Sequence, residues 1–112
     1  GLDRLTLRLD LDRDYATSYA ITVDQRGHVS ESCWEATGWN PTPFIAVDAD
    51  DLKWRLEMAI PFADLSANPP GRRSVWAASL VRTIPQSGWQ SWLATDHGDT
   101  SHPTSFGLLQ FK

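Results

Sequence analysis

Apolar residues fall on every second position over much of this chain, the period of a pleated strand with one face buried. Leu5, Leu7, Leu9 and Leu11 alternate with Arg4, Thr6, Arg8 and Asp10, which predicts a half-buried antiparallel strand over residues 3–11. Tyr19, Ile21 and Val23 repeat the pattern, and Gln25-Arg26-Gly27 closes it with a turn. Residues 28–42 lack a period and carry Gly38 and Pro41, so they read as a long loop holding Trp34, Trp39 and Asn40. Pro43–Val47 reads as a short strand and Asp48–Asp51 as an acidic turn. The next strand, Leu52–Ile60, sets Trp54, Leu56, Met58 and Ile60 on one side and Arg55 and Glu57 on the other. Pro61 stops it, and Pro61–Leu65 fits one helical turn with proline near its start. Ser74–Arg82 is apolar or small on both sides, the mark of a central strand covered on both faces. Trp89–Ala94 and Phe106–Phe111 complete the strands, with a polar loop between them. Short strands with almost no helix predict a single all-β domain, an antiparallel β-sandwich with one short helical turn.

Composition narrows the function classes. The 112 residues allow one domain, and a hydrophobic fraction of 41% argues for a folded chain. Fourteen acidic against 10 basic side chains leave a net charge of −4, which disfavours nucleic acid as a partner. No apolar run approaches the roughly 20 residues of a membrane-spanning helix. Cys33 is the only cysteine, so no disulfide forms within the chain. The anomaly is six tryptophans. Trp54 and Trp76 lie in phase with the Leu and Ile of their strands and are assigned to the core. Trp34, Trp39, Trp89 and Trp92 sit in or beside loops and carry two readings. As exposed indoles they would stack on sugar rings, with Asn40 and Gln90 as hydroxyl partners; as buried ones they would plug the end of the sandwich.

Other chemistry is sparser. Asp10, Asp12 and Asp14 place carboxylates at every second position of a turn, a spacing that suits calcium, although no glycine or distal Glu follows in register; a solvated turn is the plainer reading. Asp96, His97, Asp99 and His102 could supply zinc ligands from the polar loop, but no regular element fixes their geometry. Haem ligation by Met58 and a histidine competes with ordinary core filling by the thioether. Enzymatic signatures are lacking: there is no nucleophile elbow, phosphate loop or cysteine pair. Glu57 lies mid-strand, where an ion pair with Arg55 or Arg82 accounts for it better than glycoside hydrolysis. A non-catalytic domain is expected.

Four segments, taken in order, resemble family 9 carbohydrate-binding modules and their relatives. Trp54-Arg55-Leu56-Glu57-Met58-Ala59-Ile60-Pro61-Phe62 is similar to a strand ending in an E-x-A-I-P-type motif, and Asp3–Asp10 to an earlier strand bounded by aspartates. Gln90-Ser91-Trp92 resembles a later S-W segment, and His102–Leu109 the closing P-x-x-F-G-x-L motif. The resemblance covers essentially the whole chain. It implies a jelly-roll sandwich related to the DOMON group, whose members bind sugars or haem, on an extracellular, periplasmic or cell-surface protein. It also implies a sugar held between two tryptophans, often with calcium nearby, and further N-terminal strands ahead of Asp3. Here the family's pattern is broken: one sandwiching Trp would precede Asp3, the other falls near Ser101 and His102, and an arginine of the family falls near Thr22. The resulting expectation is a non-catalytic carbohydrate-binding module of a larger exported protein, with Trp34, Trp39, Asn40, Arg82, Trp92 and His102 as sugar contacts. The alternative is a structural or protein-interaction sandwich that has lost the sugar site. Besides oligo- or polysaccharide, the expected partners are other domains of the parent protein and a second copy, paired through an open edge of the Leu5–Leu11 strand.

Overall fold

The computed structural model describes residues 3–13, 18–33, 39–66, 69–91 and 106–112. Their strands are β1 (Arg4–Asp10), β2 (Tyr19–Asp24), β3 (Val29–Cys33), β4 (Phe44–Ala49), β5 (Trp54–Ala59), β6 (Val75–Ile84), β7 (Gly88–Ser91) and β8 (Gly107–Gln110). All pairings are antiparallel. Six strands form one sheet in the order β3-β2-β1-β6-β7, with β8 also on β6, while β4 and β5 form a second sheet. The chain is thus an all-β sandwich, and among the described residues the one helical element is the expected turn, a 3-10 segment at Phe62–Asp64 entered from Pro61.

Register fixes which side chains share a face. Leu5, Leu7 and Leu9 lie opposite Val23, Ile21 and Tyr19 of β2 and opposite Arg82, Leu80 and Ala78 of β6. This inward face meets β5: Leu7, Leu9 and Trp76 line one groove together with Met58 and Ile60. The core gathers at one end, where Leu9, Leu65, Trp76 and Ala78 pack together with Tyr19, Trp39 and Phe111 against them. Phe62, Trp76 and Phe111 meet edge-on there, the closest ring centroids being 4.7 Å apart. The Tyr19 hydroxyl and the Trp39 indole N–H donate to the carbonyls of Leu65 and Asp64, tying the 3-10 turn to this end.

The strand β6 is central, as its two-sided composition implies: Trp76 and Ala78 are buried on one face, Ala77, Ser79 and Val81 on the other. Two expectations change. Val29–Cys33 is a strand inside the stretch read as a loop; it is largely exposed, so Val-Ser-Glu-Ser-Cys has no apolar period, and pairing with β2 creates it. The strand expected to leave an open edge, β1, is instead flanked along its length by β2 and β6. The second neighbour lies far along the chain, where no local pattern announces it, and the sheet is bounded by β3 on one side and β7 and β8 on the other.

Candidate functional site

The face of the large sheet that points away from β5 is built from the polar half of each alternation. Across β7, β6, β1 and β2 the register places Trp89, Thr83, Arg4 and Asp24 in one row. The next row runs Ser91, Val81, Thr6, Thr22 and Ser30, with the Thr6 and Thr22 hydroxyls bonded at 2.9 Å. Beyond it lie Ser79, Arg8, Ala20 and Ser32. Exposure changes along this face. Trp89 is 44% exposed at one end, whereas Ser79 and Asp10 are fully buried towards the other. Two buried hydroxyl oxygens on this face, Ser79 Oγ and Ser91 Oγ, have no hydrogen-bond partner. Such groups are rare enough in folded proteins to require a cause.

Trp89 projects from a tight hairpin. Ser87 N–H donates to Ile84 C=O at 3.0 Å, and Gln86 and Gly88 both take positive φ, 65° and 104°. Glycine carries the second without strain. At the other end of the row, Asp24 holds the β2–β3 turn: its Oδ1 accepts the N–H groups of Arg26 and His28 at 2.8 and 3.1 Å, and Oδ2 faces His28 Nδ1 at 3.5 Å. Burial opposes the charge on Asp24, but these N–H groups and the neighbouring cations outweigh it and hold the carboxyl below its ordinary range.

The inward face carries a second constellation. Arg82 binds Asp3 through Nε, 2.9 Å from Oδ1, and through Nη2, while Trp54 Nε1 donates to Asp3 Oδ2 at 3.2 Å. The Arg82 fork lowers the pKa of Asp3 against the opposing effect of burial. Arg82 Nη1 also reaches Gln90 Oε1 at 3.4 Å. Trp54, Arg82, Leu5, Leu56 and Lys53 line a pocket of about 300 Å³ beside this cluster. Farther along lies an apolar groove of about 430 Å³ between β5 and the large sheet, beside which Leu80 and Leu109 stay partly exposed.

The residues singled out in the sequence do not converge on one spot. Arg82 and Gln90 come together with Asp3, and Arg82 makes no ion pair with Glu57, which is exposed. Trp39 is half-buried, its ring against Tyr19 at 4.8 Å and its N–H on Asp64, while Asn40 beside it is exposed. Trp34, Trp92, His102 and Asp14 lie outside the described residues, as does the Asp96–His102 stretch. Asp10, at the end of β1, is fully buried, and its Oδ1 accepts Arg13 N–H at 2.9 Å; Asp12 is exposed. Among the described residues no group of three or more His, Cys, Asp or Glu side chains is placed to hold a metal. Met58 lines the apolar groove, and His28, the described histidine, sits on the β2–β3 turn against Asp24. Trp54, assigned to the core, is half-buried and anchors Asp3. The outward row was hard to foresee, because Trp89 alternates with Gln90 in a strand too short to show a period. Compared with known proteins, the chain matches no family model, no curated protein and no solved structure.

Proposed function

We propose that this chain is a non-catalytic carbohydrate-binding module, a family 9-like jelly-roll sandwich working within a larger exported protein. The observation that supports the reading best is the outward row: an exposed indole, Trp89, aligned across neighbouring strands with the hydroxyl of Thr83 and the guanidinium of Arg4. A sugar needs that combination, an aromatic plane for its C–H face and fixed polar groups for its hydroxyls. The Thr6–Thr22 hydroxyl pair extends the polar set into the next row. Glycan-array screening followed by calorimetry on the full chain tests it. Binding to a defined oligosaccharide that Trp89→Ala abolishes is the expected result; silence across plant, algal and microbial glycans refutes it.

A second reading, an interaction sandwich without sugar binding, draws on the apolar groove lined by Leu7, Met58, Ile60 and Trp76. An open apolar cleft of that kind suits a protein segment better than a hydroxyl-rich ligand. Under it, Trp89→Ala changes nothing, whereas a charge placed in the groove, Met58→Lys, disrupts association with the parent protein's other domains.

A further inference from the structure

We infer that the outward row selects a glycan bearing a carboxylate, a uronate, with Arg4 as the residue that reads the acid; this rests on the carbohydrate reading above. Arg4 is exposed, and its guanidinium is engaged in no ion pair or hydrogen bond among the described residues. The carboxylate directly across from it, Asp24, is spent on its own turn, bonded to Arg26 and His28. Arg4 therefore presents its N–H fork to solvent on the same face as the Trp89 ring, with Thr83 between them. Two strand spacings separate Trp89 from Arg4, roughly 10 Å, a span that one disaccharide unit covers. One ring can rest on the indole while the next brings its C6 carboxylate to Arg4, whose planar fork matches a carboxylate in two parallel bonds. Thr83 then meets the hydroxyls near the linkage. On the same strand and face Arg8 donates to Ser18, and Asp10, buried beyond it, accepts Arg13 N–H.

Calorimetry of the full chain with trigalacturonic acid and with its methyl ester, in chelator to remove calcium bridging, tests the inference. The ester keeps the rings and hydroxyls and replaces each charged carboxylate by a neutral, slightly larger group. The acid should bind roughly tenfold more tightly than the ester, the scale of one charge-assisted pair. Arg4→Gln should erase that preference, bringing the acid down to the affinity of the ester, and Arg4→Lys should restore only part of it, since an ammonium cannot bond a carboxylate in two parallel contacts. Trp89→Ala should weaken acid and ester alike. Equal affinity for acid and ester, or a preference that survives Arg4→Gln, overturns the uronate inference and leaves sugar binding standing. A sulfated glycan bound through Arg4 while the uronate is ignored overturns it too. Failure of every glycan removes the carbohydrate reading and this inference together.

Discussion

Trp76 and Trp89 lie on adjacent strands of the same sheet and face opposite ways, and nearly everything about this molecule can be read from their difference. Trp76 is 7% exposed and touches Phe62 and Phe111 edge-on, in the cluster that also holds Leu9, Leu65 and Ala78. Trp89 is 44% exposed and has Thr83 as its cross-strand neighbour. One indole packs the 3-10 turn and Phe111 against the large sheet; the other stands half in solvent. The contrast teaches that tryptophan count by itself argues for nothing here, and that the face each ring occupies decides its use. The sharpest way to break the comparison is therefore to delete the buried ring. Trp76→Ala should cost about 3–5 kcal/mol, through lost burial and the cavity left behind. Urea unfolding followed by far-ultraviolet circular dichroism measures it, and a loss below about 1 kcal/mol would mean that the core does not centre on this ring.

The next effect concerns the polar clamp at the other end of β1 and β6. Asp3 accepts from Arg82 and from Trp54, and losing the carboxylate leaves both donors short of a partner. Asp3→Asn should cost about 1–2 kcal/mol. The clamp also sets a pH dependence. Arg82 lowers the pKa of Asp3 in the folded chain, so as pH falls the unfolded chain takes up the proton first. The stabilisation is complete above the ordinary carboxylate range and drains away as pH falls through the folded value. Asp24 and Asp50 are lowered as well, so wild type has several acid-sensitive groups. The difference between wild type and Asp3→Asn, measured as melting temperature against pH, isolates the clamp: it should be largest near neutrality and shrink in acid.

A smaller effect sits at the seam between the 3-10 turn and the large sheet. Tyr19→Phe removes the donor to Leu65 C=O and keeps the ring against Trp39. About 1 kcal/mol is expected, the net worth of one hydrogen bond, and an equal loss on the Trp39→Phe background would show that the two bonds to the turn act independently. This seam was legible only in part. The helical turn after Pro61 and the alternation of Tyr19, Ile21 and Val23 are written locally, in a proline and a period of two. That Trp39 would reach Asp64 was not, because a lone indole in a stretch rich in proline and glycine looks the same whether it meets a sugar or a carbonyl. The same limit hid β3, whose exposed residues carry no period, and misplaced the open edge at β1, whose second neighbour β6 comes from far along the chain. Local patterning shows which strands exist and which side is greasy; which strands become neighbours, and so which side chains form a row, depends on pairings that no window of sequence contains.

The smallest expected change in stability carries the most about function. Trp89 lies on a short strand at the border of the sheet, and almost half of its surface is already in water. Replacing it with Ala gives up a half-exposed ring outside the core cluster, so the loss should fall well below that of Trp76→Ala. If this indole is a platform for a sugar ring, Trp89→Ala should nonetheless abolish binding, since stacking on an aromatic plane is a large share of what a neutral sugar can gain from a protein. Melting temperature and calorimetric affinity, measured on the same sample, then separate the two tryptophans: Trp76→Ala lowers the melting temperature most, and Trp89→Ala leaves a folded chain that no longer binds. A Trp89→Ala variant that melts several degrees lower would place the ring in the structural half of the comparison. The outward face would then be a second packing surface.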